Sequence, residues 1–151
     1  MKLVIATDGS EYSFAAAKEL CRLFGERKDL EIRVVSVYEE EYAIAAEPFA
    51  ISPDLYKEIA EASENQARKN CETTEEFLKK ELAEVNAQIE SAVLKGSPER
   101  EIVEFAKSWG ADLIVVGSHG RGFWGRLLGS VSDGVTHHST CSVLVVKTSA
   151  E

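Results

Sequence analysis

The sequence predicts an α/β fold, with one domain (1–151) built on a five-stranded parallel sheet that carries helices on both faces. Short apolar runs alternate strictly with helical patterns along the chain, and this order is typical of a parallel sheet. The runs are almost continuously apolar, as in strands that are buried on both faces. The length of 151 residues allows one core and is too short for two ordinary domains.

The first strand is predicted at KLVIAT (2–7), and a helix that closes at Gly25 follows it. The second strand is EIRVVSVY (31–38), which is rich in valine. Residues 39–53 contain two prolines and are expected to form a long loop, a kind of segment that is often functional. The first helix is predicted from apolar residues at helical spacing: Phe14, Ala17, Cys21 and Phe24.

A long helix is predicted from Asp54 to about Val85. At 1.5 Å per residue it would span about 48 Å, more than any strand here, so we expect it to overhang the sheet or to bend near Thr73 and Thr74. Its many charged residues are expected to form a solvated face. Its apolar stripe consists of Leu55, Ile59, Ala67, Cys71, Leu78 and Leu82.

The second half of the chain supplies three more strands, at 87–95, 112–116 and 142–147. Between the first two of these, Ser97 is expected to cap a helix that ends at Gly110. The last helix lies between the final two strands, and its predicted markers are Val131, Val135 and His138.

The charge and composition exclude several classes of partner. The net charge of -9 argues against nucleic acid or an anionic membrane as the main partner. No run approaches the roughly 18 apolar residues of a membrane span, and the apolar stretch before Asp8 is too short for a signal peptide, so a cytoplasmic protein is expected. The three cysteines and three histidines lack metal-ligand spacing, so no metal site built by side chains is predicted, and the thiols are expected in the core or on helix faces.

The most informative segment is the loop GSHGRGFWGRLLGS (117–130), in which five of fourteen residues are glycine. It follows a strand and precedes a helix, which is where ligands of open α/β sheets bind. Glycines let a backbone close on a phosphate, and a helix N-terminus offers free N–H groups. The sequence SVSD (130–133) matches a capping box, with Ser130 capping the helix and Asp133 returning the bond.

Two familiar phosphate-binding motifs fit this loop poorly. A P-loop is absent from the sequence. A literal GxGxxG is formed by Gly120, Gly122 and Gly125, but it follows the fourth strand rather than the first. About 20 residues beyond it stands the apolar Val145 and not the acid that a ribose needs. A dinucleotide-binding fold is therefore disfavoured.

The spacing of the glycines resembles that of the universal stress protein family. Its nucleotide-binding members carry Gly-x-x-Gly, nine residues, and then Gly-Ser or Gly-Thr. Here Gly117 and Gly120 match the first part and Gly129-Ser130 the second, with eight residues between them. The resemblance covers the whole chain through three further segments: VIATDGSEYS (4–13), KGSPEREIVEFAKSWGADLIVVGSHG (95–120) and CSVLVVK (141–147).

The segment between the two glycine pairs is one residue shorter than the family pattern, and this shortening has two interpretations. Gly122 and Gly125 tolerate unusual dihedral angles and could absorb it. Alternatively, the shorter segment disturbs the phosphate cradle, and the chain belongs with family members that do not bind ATP.

The resemblance implies strand order 3-2-1-4-5, an arrangement similar to the adenine nucleotide alpha hydrolases, with the switch point between the first and fourth strands. It also implies a nucleotide site. Thr7 and Asp8 would line the adenosine side, and backbone groups of Val37 would meet the adenine. The residues implied for ribose and phosphates are Gly117, Ser118, Gly120, Gly129, Ser130 and Val131.

Simpler roles remain open for three of these positions. Asp8-Gly9 could only turn the chain, Ser130 could only cap a helix, and Val37 could only fill the core.

The function implied by the resemblance is ATP binding, with Mg²⁺ or Mn²⁺, by a ligand-dependent module of the stress response. A homodimer through the fifth strand (142–147) is also implied, because VLVV would leave an apolar edge unpaired if that strand ends the sheet. The alternatives are a slow ATPase or phosphotransferase, and a stress protein that acts only as an interaction dimer. No complete set of catalytic roles is found, since Asp8 is the only acid expected near the crevice and His119 lies within the loop.

Overall fold

The computed structural model describes residues 1–39, 52–119 and 128–148. In these ranges, helices and strands alternate as the sequence predicts. The strands are β1 (Lys2–Ala6), β2 (Glu31–Tyr38), β3 (Gln88–Lys95), β4 (Leu113–Gly117) and β5 (Ser142–Val146). The helices are α1 (Glu11–Phe24), α2 (Pro53–Glu81), α3 (Pro98–Trp109) and α4 (Ser130–His138), with a 3-10 turn (Ala83–Val85) after α2.

The five strands form one parallel sheet in the order β3-β2-β1-β4-β5, which confirms the predicted fold class and strand order. Strand β1 lies at the centre, with β2 on one side and β4 on the other. The chain leaves β1 towards β2 and β3 and later returns to β4 on the opposite side. A crevice therefore opens between the carboxyl ends of β1 and β4.

The core has two layers, one on each face of the sheet. On one face α1 and α2 pack against the sheet around Leu20 and Leu78, which are fully buried. On the other face α3 and α4 cover the strands around Ile102 and Val135. This two-sided burial explains why the strands read as continuous apolar runs.

Helix α2 matches its predicted stripe only in its second half. Leu55 and Ile59 are 46% and 47% exposed, so the N-terminal end of α2 extends beyond the core. The helix continues through Thr73 and Thr74 as one element, and the 3-10 turn replaces its predicted last residues. The buried inner face consists of Ala67, Cys71, Thr74 and Leu78, and Leu82 is buried just beyond the helix.

The ends of α3, the inner face of α4 and the cysteines follow the sequence predictions in part. Helix α3 begins after Ser97 and ends at Gly110, whose φ of 72° lies in the left-handed region, as expected for a C-terminal glycine. His138 is exposed, so the inner face of α4 is formed by Val135 instead. Of the loop predicted at 39–53, residues 40–51 lie outside the described ranges. All three cysteines are free, and burial raises the pKa of Cys71 to about 11.

Candidate functional site

A pocket of about 290 Å³ opens at the carboxyl ends of β1, β2 and β4, at the predicted crevice. Strand ends form its floor, and the first turns of α1, α3 and α4 form its walls. The described residues that line it are Ala6, Thr7, Asp8, Ser13, Val35, Val37, Pro98, Ile102, Val116, Gly117, His119, Gly129, Ser130, Val131 and Ser132. Seven of the nine predicted site residues are among them: Thr7, Asp8, Val37, Gly117, Gly129, Ser130 and Val131.

The turn from β1 into α1 is closed by its own side chains. Gly9 has a φ of 73°, a conformation that favours glycine, so Asp8-Gly9 does turn the chain. The amide of Ser10 donates to Asp8 Oδ1 at 3.0 Å, and the amide of Ser13 donates to Ser10 Oγ at 3.2 Å. The second bond is an N-cap, so the start of α1 is satisfied internally. Asp8 nevertheless also lines the pocket.

Thr7 is 5% exposed, and its hydroxyl is fully used by neighbouring groups. It accepts from the amide of Gly9 at 3.3 Å and from Thr74 Oγ1 at 3.1 Å. It donates to Ser13 Oγ at 3.3 Å. Thr7 therefore supports the wall of the pocket, and its hydroxyl is committed to the protein.

Val37 lines the pocket near the end of β2. The carbonyl of Val35 accepts from the amide of Thr7, and the carbonyl of Tyr38 accepts from the amide of Gly96 beyond β3. Because backbone groups in a strand alternate in direction, those of Val37 face the side of β1. Strand β1 ends at Ala6, which pairs with Val35, so these groups lie beyond its end.

Position 117 must be glycine because the backbone of α1 passes close to it. A Cβ at this position would lie 2.7 Å from the carbonyl carbon and oxygen of Tyr12 and 3.0 Å from the amide nitrogen of Ser13. The backbone of α1 thus passes directly over the end of β4. The first glycine of the loop lines the pocket, but helix packing alone is enough to demand it.

Ser118 connects three elements and is not among the residues that line the pocket. Its amide donates to the carbonyl of Val146 on β5 at 2.8 Å. Its carbonyl accepts from the amide of Gly129 at 2.8 Å and from Ser132 Oγ at 3.0 Å. Its hydroxyl lies 3.0 Å from His119 Nδ1. Ser118 thereby fixes the start of α4 against the end of β4.

The capping box predicted at 130–133 is wrong. Gly129 is the N-cap residue of α4, and Ser130 is the first residue of the helix. The helix begins there because the carbonyl of Gly129 accepts from the amide of Asp133 at 2.9 Å. Glycine has no side chain to cap with, and among the described residues no side chain caps α4. The carboxylate of Asp133 instead lies 3.6 Å from His137 Nδ1.

The start of α4 therefore presents backbone donors to the pocket. The first amides of a helix have no partner within it. That of Gly129 is used by Ser118. The next three belong to Ser130, Val131 and Ser132, and all three residues line the pocket. These donors and the positive end of the helix dipole favour an anion at this position.

Sequence reasoning missed the buried polar residues around the pocket. Ser132 is 2% exposed, and its hydroxyl donates to the carbonyls of Ser118 and Gly129 at 3.0 and 2.9 Å. Ser132 lies within SVSD (130–133), a segment whose pattern predicts a capping box and not a buried hydroxyl. Ser13, which is 4% exposed, was not predicted at the site either, and Pro98 and Ile102 were predicted only as parts of the third helix. The predicted site residue Gly120 lies outside the described ranges, as do Gly122 and Gly125.

The described lining of the pocket carries little charge. Asp8 is the one carboxylate among its described lining residues, and His119 packs its ring 5.3 Å from that of Tyr12. Across the described ranges, no three His, Cys, Asp or Glu residues gather into a metal-binding group. No helix there is both long and apolar enough to cross a membrane.

The sequence profile of the Universal stress protein family matches residues 1–147. The chain belongs to this family. Among its curated members, the universal stress protein MJ0531 of Methanocaldococcus jannaschii is 36% identical over 152 residues, covering 97% of this chain and 81% of that protein. The predicted family is therefore confirmed.

Two solved structures agree with the fold over its full length. The structure of MJ0577 from the same organism is 30% identical, with a TM-score of 0.75 and coverage of 99% of this chain and 97% of that one. A universal stress protein solved in complex with cAMP is 26% identical, with a TM-score of 0.65 and coverage of 99% and 98%.

Proposed function

We propose that this chain binds an adenine nucleotide, with ATP as its principal ligand, in the pocket between β1 and β4. The observation that carries the proposal is the N-terminus of α4, where Ser130, Val131 and Ser132 line the pocket and no described side chain caps the helix. Phosphate is the natural guest of such a helix end, because it meets several backbone donors and the helix dipole at once. The family member in complex with cAMP supports the choice of an adenine nucleotide.

The other end of the ligand is expected at Asp8 and Val37. A ribose hydroxyl donates well to a carboxylate such as that of Asp8, which lines the pocket. The backbone groups of Val37 suit the donor and acceptor edge of adenine. This arrangement keeps the phosphates at α4 and the base at β2.

A divalent cation would fit this site only together with the nucleotide. Mg²⁺ is usually held by one or two carboxylates and the phosphate oxygens of its substrate. Asp8 supplies one carboxylate at the described lining of the pocket, which suits this mode and not a protein-built cage. We assign the ion to the nucleotide and no catalytic step to the protein.

In this proposal the protein acts as a nucleotide-dependent module of the stress response, as a dimer. Strand β5 forms one edge of the sheet, and its central residues Val143, Leu144 and Val145 are only half-buried. Exposed apolar edges of this kind are usually covered. Pairing of two β5 strands across a two-fold axis would cover them. Light scattering that gives the mass of a single chain at micromolar concentration would refute the dimer.

Titration calorimetry with ATP, ADP and adenosine tests the nucleotide proposal directly. We expect ATP and ADP to bind more tightly than adenosine by about tenfold or more, because the phosphates add charge-assisted hydrogen bonds to the amides of α4. Inorganic triphosphate is the control for binding that needs no base. If none of the nucleosides or nucleotides binds below roughly millimolar, the proposal fails and the chain acts without a nucleotide.

A further inference from the structure

The inner face of α2 contains one hydroxyl in an otherwise apolar stripe. Its buried residues Ala67, Cys71, Thr74 and Leu78 follow helical spacing, and Thr74 is 4% exposed. A hydroxyl in such a place costs free energy unless it is hydrogen-bonded. Threonine inside a helix often satisfies itself by bonding to a carbonyl one turn earlier. Here Thr74 Oγ1 instead donates to Thr7 Oγ1, just beyond the end of β1, at 3.1 Å.

That bond starts a directed chain of hydroxyl groups. Thr74 donates to Thr7, and Thr7 donates to Ser13 Oγ at 3.3 Å. Ser13 Oγ then donates to the carbonyl of Ser10 at 3.0 Å. The three hydroxyls belong to residues that are 4% to 5% exposed, so each depends on the others for its partners.

This series of hydroxyl hydrogen bonds ends at the turn that contains Asp8. Thr7 Oγ1 also accepts the amide of Gly9 at 3.3 Å, and the amide of Ser10 donates to Asp8 Oδ1 at 3.0 Å. The donor from Thr74 fixes which way the Thr7 hydroxyl points, and so keeps an acceptor for Gly9. Without that donor, one lone pair of a buried oxygen loses its partner, and only the bonds with Gly9 and Ser13 still orient the Thr7 hydroxyl.

We propose that Thr74 is a positioning residue of the pocket, which orients Asp8 through the hydroxyl of Thr7 and the amide of Gly9. Helix α2 adds no residue to the described lining of the pocket between β1 and β4, but it lines an adjoining cavity that shares Asp8 and Val37 with that pocket. The effect on ligand affinity rests on the proposed nucleotide function, whereas the effect on the Gly9 turn does not.

The test compares four single variants by two independent readouts. Thr74→Val removes the hydroxyl while keeping the shape, and Thr74→Ser keeps the hydroxyl. Cys71→Ala truncates a buried side chain one turn earlier and controls for lost stability, and Thr73→Val is an exposed neighbour. The first readout is the NMR chemical shift of the Gly9 amide in the ligand-free protein. The second is the Kd for ATP, measured by calorimetry.

We expect Thr74→Val to shift the Gly9 resonance and to weaken ATP binding by about fivefold to tenfold, the size of one hydrogen bond. Thr74→Ser, Thr73→Val and Cys71→Ala should leave both readouts near wild type, although Cys71→Ala lowers the melting temperature. If Thr74→Val does not fold, Thr74→Ala removes the hydroxyl without placing a methyl group against Thr7.

An unchanged Gly9 resonance in the variant without the hydroxyl overturns the inference. So does an equal loss of affinity in Cys71→Ala, because that would reflect stability alone. If wild-type protein binds no nucleotide, the proposed function fails, and the Gly9 resonance still decides the role of Thr74.

Discussion

The N-termini of α1 and α4 reach the same pocket, yet their first amides are satisfied in different ways. Ser10 caps α1 with its hydroxyl, and Asp8 accepts from the amide of Ser10. The N-cap residue of α4 is Gly129, which has no side chain to offer. One helix end is therefore closed by a side chain, whereas at the other no described side chain caps the helix and its first residues line the pocket.

The difference shows how a fold with two similar helix ends can direct an anion to one of them. A phosphate at α1 would have to displace a built-in cap and approach the carboxylate of Asp8. At α4 it would meet amides that no described side chain occupies. The serine that follows Gly129 does not alter this, because it lies inside the helix.

Adding a side-chain cap to the N-terminus of α4, like the one that α1 has, should have the largest effect on ATP affinity. Gly129 has φ -65° and ψ 157°, an N-cap conformation that aspartate also adopts. In Gly129→Asp the new carboxylate would accept from the amides meant for phosphate and would repel the ligand. We expect ATP affinity to fall by about 100-fold or more in calorimetry, equivalent to the loss of two charge-assisted hydrogen bonds.

Gly129→Asn is the matched control, because it has nearly the same shape without the charge. It should cap α4 and give an intermediate loss of affinity. Thermal unfolding should show both variants to be as stable as wild type or slightly more so, since a capping side chain replaces glycine. Wild-type affinity in Gly129→Asp would place the phosphates elsewhere.

A steric clash that pushes α1 away from the end of β4 should have the next largest effect. In Gly117→Ala the new methyl group would meet the backbone of Tyr12 at 2.7 Å, so α1 must shift away from β4. We expect a loss of about 1–3 kcal/mol in the free energy of unfolding, measured with urea, as for overpacked sites.

Gly110→Ala is the control for Gly117→Ala. Nothing lies within 4 Å of a Cβ at Gly110, but its φ is +72°. It should lower stability through its dihedral angle alone and leave nucleotide affinity unchanged. Gly117→Ala should also weaken ATP binding, because the displaced α1 carries Ser13 in the pocket lining. An equal loss of affinity in Gly110→Ala would indicate general destabilisation and not displacement of α1.

Removing the side-chain cap of α1 should lower the free energy of unfolding by about 1 kcal/mol. Ser10→Ala removes the hydroxyl that accepts from the amide of Ser13, and caps of this kind contribute about that amount. Ser97→Ala is a matched control, since Ser97 occupies the N-cap of α3 without a capping bond and donates to Glu99 Oε1 instead. Urea unfolding should show a smaller change in Ser97→Ala, and the reverse order would contradict the assigned caps.

The smallest effect is expected at Ser130. Its hydroxyl does not cap α4, so Ser130→Ala should change the free energy of unfolding by less than about 0.5 kcal/mol. ATP affinity should fall by only about threefold, because the backbone amide at this position remains. A stability loss of about 1 kcal/mol would instead restore Ser130 as the cap.

The sequence was sufficient for the fold because each element has a local signal. The continuous apolar runs, Pro98 after Ser97, and Gly110 at a helix end all depend on neighbours along the chain. The start of α4 was misplaced by one residue for a related reason. A serine followed three residues later by an acid fits a capping box, whereas the true start depends on bonds made by Gly129 to Ser118 and Asp133.

The site was only partly predictable, because the same residue type serves different purposes. Gly117 is glycine because α1 passes over it, and a ligand would have demanded the same residue. Ser132 and Thr74 resemble solvated polar residues in a sequence, and their burial depends on elements that are distant along the chain. Thr74 did carry a signal, since it continues the helical spacing of Ala67 and Cys71 towards Leu78.

The anchoring of Ser118 bears on how this loop can vary during evolution. Its two backbone groups and the hydroxyl of Ser132 hold both ends of the segment 119–128, whatever path the chain takes between them. The entropy of closing a loop depends only logarithmically on its length, so one residue more or fewer changes it by about 0.1 kcal/mol. By closure entropy alone, a deletion between the anchors costs little for folding, so a change in the length of this loop is compatible with an unchanged start of α4.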